Sequence, residues 1–114
     1  MSAVAGEPRP ASDGQPAVTL CVLLWAAEGE VDLLTSYESE VLALVPRHGG
    51  RVVSRVRALD AGAADGGPTE VQVIEMPDDA ALSAYMADPD RTARLDVRDR
   101  AIARTQIVRV APLP

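Results

Sequence analysis

The sequence predicts an α+β fold in which a four-stranded antiparallel sheet carries two helices on one face. Three observations carry that reading. An amphipathic stretch runs into the double glycine Gly49-Gly50, and a strand-like run starts at once beyond it. Residues 17–25, AVTLCVLLW, are almost continuously apolar, which suits a central strand covered on both faces; a strand with one wet face would alternate. The segments follow one another in the order β-α-β-β-α-β over 114 residues, a length at which one domain can bury its own core.

The elements are read in order. Residues 1–16, MSAVAGEPRPASDGQP, combine prolines and glycines with no apolar period and are expected to form a flexible tail. The remaining residues, 17–114, are expected to form a single domain. After the first strand, Val31, Leu34, Tyr37, Val41, Leu44 and Val45 recur at spacings of three and four, which predicts one helix from Glu30 to about Arg47. Asp32, Ser36, Glu38, Ser39 and Glu40 fall mostly outside that stripe. Glu30 and Asp32 suit the positive end of the helix, and Pro46 with the two glycines ends it. Residues 51–58, RVVSRVRA, read as the second strand, with Arg51, Val53, Arg55 and Arg57 on one face and Val52, Ser54, Val56 and Ala58 on the other. On this reading Arg55 and Arg57 face the side of the sheet away from the helices. A turn at 60–68, DAGAADGGP, joins this strand to a third at 69–76 as a hairpin. Pro77 and Asp78 signal a second helix, with Leu82, Tyr85 and Met86 on its apolar face. Pro89 interrupts it, a charged helical stretch follows, and RTQIVRVAPL supplies the fourth strand.

Charge and composition narrow the function classes. The formal net charge of -6 disfavours nucleic acid and anionic lipid as partners. All 11 basic residues are arginine, and Lys, Asn and Phe are absent, the codon signature of a GC-rich bacterial genome. Cys21, the only cysteine, allows no disulfide within the chain and reads as a small buried hydrophobe. With no apolar run of transmembrane length and no signal-peptide pattern, a cytoplasmic location is expected.

The element order is that of the ferredoxin-like split βαβ plan. Its free sheet face needs a cover, and two-fold pairing of subunits is the commonest solution. The helical Tyr37, the strand entry Gly49-Gly50-Arg51, the step Glu75-Met76-Pro77 and the run Tyr85-Met86-Ala87-Asp88-Pro89 together resemble the dimeric α+β barrel superfamily over residues 17–111. That group includes antibiotic-biosynthesis monooxygenases, stress-responsive A/B barrel proteins, muconolactone-isomerase-like proteins and uncharacterised conserved domains, and the resemblance is greatest to an uncharacterised subgroup. It implies a homodimer paired through the sheet face and a pocket between sheet and helices. Haem-degrading members use an Asn, Trp and His set, which a chain without Asn does not carry.

No metal cluster, phosphate loop or catalytic triad is visible, and no cofactor is expected. His48, Tyr37 and Glu75 are the candidates for moving a proton: a lone histidine at a helix end, a tyrosine on the covering helix and a strand carboxylate. His48 is read first as structural, a cation suited to the negative end of a helix, and core packing explains Tyr37 equally well. Trp25, Tyr37 and Tyr85 are the aromatic residues available to line a pocket, and core packing explains them as well. Arg55 is the candidate for gripping an anionic substrate, with pairing to Glu70 or Gln72 as the alternative. Asp90, Arg91, Arg94, Asp96, Arg98, Asp99 and Arg100 read as a solvated helix face of balanced charge. Two functions stay open: a small dimeric protein that binds an organic molecule, and a cofactor-independent enzyme of the monooxygenase or isomerase type.

Overall fold

The computed structural model describes residues 17–59 and 66–114; the expected tail and most of the hairpin turn lie outside these. Strand β1 (Val18–Ala26) leads into helix α1 (Val31–Leu42), a 3₁₀ turn (Val45–His48), β2 (Arg51–Arg57) and β3 (Glu70–Met76). Three short helices follow, α2 (Asp79–Met86), α3 (Pro89–Thr92) and α4 (Leu95–Ala101), before β4 (Ile102–Val110) closes the sheet. The strand order is β2-β3-β1-β4, and every neighbouring pair is antiparallel.

Helical structure is more broken than the periodicity predicts. Helix α1 stops at Leu42 rather than near Arg47, because Pro46 has no N–H to continue the ladder and instead starts the 3₁₀ turn. Gly49, at φ 81°, ends that turn in the left-handed region. Further on, Asp78 caps α2 by accepting a hydrogen bond from the Ala81 N–H, and Asp88 caps α3 in the same way through the Asp90 N–H. Pro89 then occupies the first position of α3, where its missing N–H costs nothing. The fourth strand starts at Ile102, directly after α4, two residues before the RTQIVRVAPL run in which the sequence placed it.

Alternation along β1 and β3 separates the two sheet faces. Leu20, Val22, Leu24, Ile74 and Met76 are buried beneath the helices and pack with Leu34, Tyr37, Val41 and Tyr85. The odd-numbered residues between them, such as Cys21, Leu23, Val71 and Val73, lie on the opposite face and are half-buried. The apolar run of β1 therefore reflects two different environments, one filled within the chain and one still open.

Strand β2 corrects the sequence reading. Val52 pairs with Ile74, but the next pair is Ser54 with Val73, so Val53 is an extra residue bulged out of the ladder. The insertion reverses the alternation downstream. Arg55 and Arg57 pair with Gln72 and Glu70 and turn toward α1, not toward the free face, whereas Arg51 stays on the free face opposite Glu75.

Candidate functional site

Between sheet and helices lies a cavity of about 250 Å³. Its floor is the row Leu20, Val22 and Leu24, flanked by Ile74 and Met76 on one side and by Thr105 and Ile107 on the other. Val41 and Leu42 of α1, Leu82 and Tyr85 of α2 and Leu95 of α4 form the roof. Met86, Leu95 and Ile107 also contribute exposed surface, so the opening lies between the helices and the β4 edge.

The polar groups in this wall are few. Glu38 belongs to them with only 7% of its residue exposed, which corrects its placement outside the apolar stripe. Gln72 Nε2 donates to Glu38 Oε1 at 2.7 Å and to Glu70 Oε2 at 2.7 Å, so one amide bridges two buried carboxyl groups. Glu70 in turn holds Arg55, accepting from Nε at 2.7 Å and from Nη2 at 3.2 Å. Burial pushes the Glu38 carboxyl up from its ordinary range, against the pull of the Gln72 hydrogen bond. Arg91 and Arg98 enter the wall from α3 and α4.

The expected site residues divide sharply by this geometry. The Tyr85 ring is in the wall, and its hydroxyl donates to the Val41 carbonyl at 3.1 Å. Burial raises its pKa. Tyr37 lies in the core, 1% exposed and outside the lining, with a buried hydroxyl that has no hydrogen-bond partner among the described residues. Burial pushes its pKa up too. Trp25 is not in the cavity: register puts it on the opposite sheet face, where its Nε1 donates to the Gly66 carbonyl at 2.9 Å and Arg104 stacks 4.2 Å from its ring. The pocket role expected for Trp25 therefore does not match its position, because the odd residues of β1 point away from the helices.

Arg55 also lies outside the lining, and Glu70, Ser39 and the Thr35 carbonyl occupy its guanidinium. Arg57 reaches the Thr35 hydroxyl. Glu75 pairs with Arg51 at 2.9 Å on the free face. His48, the last residue of the 3₁₀ turn, has its Nε2 2.7 Å from Asp88 Oδ2 and lies edge-on to the Tyr85 ring. The His48 contact, reinforced by the Asp90 N–H, holds the Asp88 carboxyl below its ordinary range. His48 thus fastens the helix end to α3, beside the cavity and not in it.

Sequence reasoning missed Glu38, Gln72, Arg91 and Arg98. A signal for Glu38 was present: it stands four residues from both Leu34 and Leu42, on the buried side of α1. Among the described residues, no group of three or more His, Cys, Asp or Glu side chains is placed to hold a metal ion. No helix there is long and apolar enough to cross a membrane.

No family model matches the chain, and no curated protein matches it. Solved structures do. A protein of unknown function from Rhodopseudomonas palustris aligns with a TM-score of 0.68 at 21% identity, covering 88% of this chain and 85% of its own. A candidate antibiotic-biosynthesis monooxygenase from Bacteroides thetaiotaomicron gives 0.64 at 16% identity, over 87% and 91%. A dimeric ferredoxin-like protein of unknown function from Thermobifida fusca gives 0.60 at 19% identity, over 86% and 92%. The chain has a ferredoxin-like fold. The likeness is one of architecture; the chemistry has to come from this chain's own residues.

Proposed function

We propose that this protein binds a small organic molecule in the cavity between its sheet and helices, and works as a homodimer paired through the free sheet face. The cavity carries the reading: an apolar chamber with a few convergent polar groups is the usual form of a ligand site. At about 250 Å³ it lies just under the roughly 300–1,000 Å³ of drug-sized sites, so the ligand is small. A cytoplasmic setting fits the free thiol of Cys21.

A second reading is supported by Glu38. A buried carboxyl in a cavity wall, with its proton held to higher pH than usual, suits proton transfer to or from an enclosed substrate. Cofactor-independent monooxygenase or isomerase chemistry would then run through Glu38, since His48 and Glu75 lie elsewhere. The Bacteroides protein, a candidate antibiotic-biosynthesis monooxygenase, shares the fold.

Native mass spectrometry of protein purified from its own host tests the binding reading. The expected result is a dimer carrying a retained small molecule, which Leu82→Trp, placed to fill the cavity, eliminates. A ligand retained equally by the filled variant would overturn it.

A further inference from the structure

The wall of the cavity holds one acidic and two basic side chains, and their partners differ. Glu38 is engaged by Gln72. Arg98 donates to the Thr105 hydroxyl at 3.2 Å and approaches Asp99 at 3.8 Å. Arg91 is the exception. No carboxylate among the described residues pairs with it; it makes a long hydrogen bond to the Met86 carbonyl at 3.4 Å, lies 5.2 Å from the centre of the Tyr85 ring, and acts on the Tyr85 hydroxyl through its charge and a side-chain hydrogen bond. Its Nε is buried with no hydrogen-bond partner among the described residues.

A guanidinium with a buried, unused N–H is an incomplete arrangement, since buried donors are nearly always paired. Arg91 belongs to the wall of a chamber lined mainly by aliphatic side chains, with Glu38, Gln72, Tyr85, Arg98 and Thr105 as its other polar residues. Arg55 shows what completion looks like in this same protein, with a carboxylate taking its Nε and Nη2 together. Resting on the proposal that the cavity is a ligand site, we infer that its ligand is an apolar monoanion whose carboxylate or enolate oxygens complete the fork of Arg91. The hydrocarbon body lies on Leu20, Val22 and Ile107, and the charged end points toward α3. Lys would serve less well than Arg, because an ammonium offers no planar fork.

Calorimetry on the full chain tests this with matched probes: octanoate against octanamide, and 4-isopropylbenzoate against its amide. Each carboxylate is expected to bind roughly tenfold tighter than its amide, the scale of one charge-assisted hydrogen bond. Arg91→Met should abolish that preference while still binding the amides, and Arg91→Lys should keep part of it. Equal binding of acid and amide by the unaltered protein overturns the anion assignment and leaves the cavity reading standing. So does a preference that survives in a folded Arg91→Met. If neither member of either pair binds, and Leu82→Trp changes nothing, the cavity reading falls with it.

Discussion

Glu38 shares a helical face with Leu34 and Leu42, yet among the described residues its carboxyl has one side-chain hydrogen-bond donor, Gln72, which a second carboxylate also uses. Burial disfavours the charged form, so its folded pKa lies above the unfolded value. The linkage has a definite sign. The native state holds this proton to higher pH than the unfolded chain. Its contribution to stability is therefore complete below the unfolded pKa and is lost as pH rises through the folded one. Glu38→Gln cannot ionise and keeps an acceptor for Gln72. It is expected to be more stable than the parent at neutral pH, with the advantage vanishing toward about pH 4, near the unfolded carboxyl value. Urea titrations of both proteins across that range measure it; a difference independent of pH would contradict the burial argument. The sequence hid this residue because a polar side chain on a buried stripe reads as a boundary, not as a wall. Arg91 was hidden for a related reason, since local charge balance says nothing about which arginine of a run turns inward.

At the scale of elements, what could be read from the sequence was what depends on period and punctuation. Tyr37 and Val41 mark the covering helix, the apolar run of β1 marks the central strand, and Gly49-Gly50 marks the junction. Facing in β2 was illegible because one bulged residue, Val53, reverses it, and nothing in RVVSRVR distinguishes a bulge from strict alternation. Gly50 has a separate reason to be glycine. A Cβ at that position would meet Met76 Sδ and come within 2.6 Å of the Glu75 carbonyl oxygen. Met76 is fully buried and the carbonyl belongs to the β3 backbone, so neither yields easily. Gly50→Ala is expected to cost about 1–3 kcal/mol, the usual range for overpacking a filled core. Gly29→Ala serves as the contrast. Its Cβ meets nothing, and its penalty comes only from a φ of 77°. Thermal melts of the two variants separate crowding from backbone strain: the Gly50 variant should lose near-ultraviolet circular dichroism around the helix–strand junction, and the Gly29 variant should not.

At the scale of the molecule, the question is what covers the second sheet face. Cys21 and Leu23 of β1, Val71 and Val73 of β3, Val56 of β2 and Val108 and Val110 of β4 make an apolar surface across all four strands. Val56 is 55% exposed and Val108 40%, which is costly if left in water. The rim is polar, with the Arg51–Glu75 pair at one end and Arg104 over Trp25 at the other, the anatomy of an interface whose dry centre is ringed by charge. In the proposed homodimer a second copy related by a two-fold axis would meet this surface with its own apolar centre, and the bulged β2 leaves Arg55 and Arg57 out of the way on the helix side. Val73 sits near the middle, between Cys21 and Ser54 in the ladder. Val73→Arg therefore puts two like charges into the centre of a symmetric contact. It is expected to convert the dimer to monomer in sedimentation velocity while leaving far-ultraviolet circular dichroism unchanged. Val31→Arg, at an exposed position on α1 away from the sheet, should stay dimeric. A Val73→Arg protein that still sediments as a dimer would place the subunit contact elsewhere and leave the apolar face to another partner.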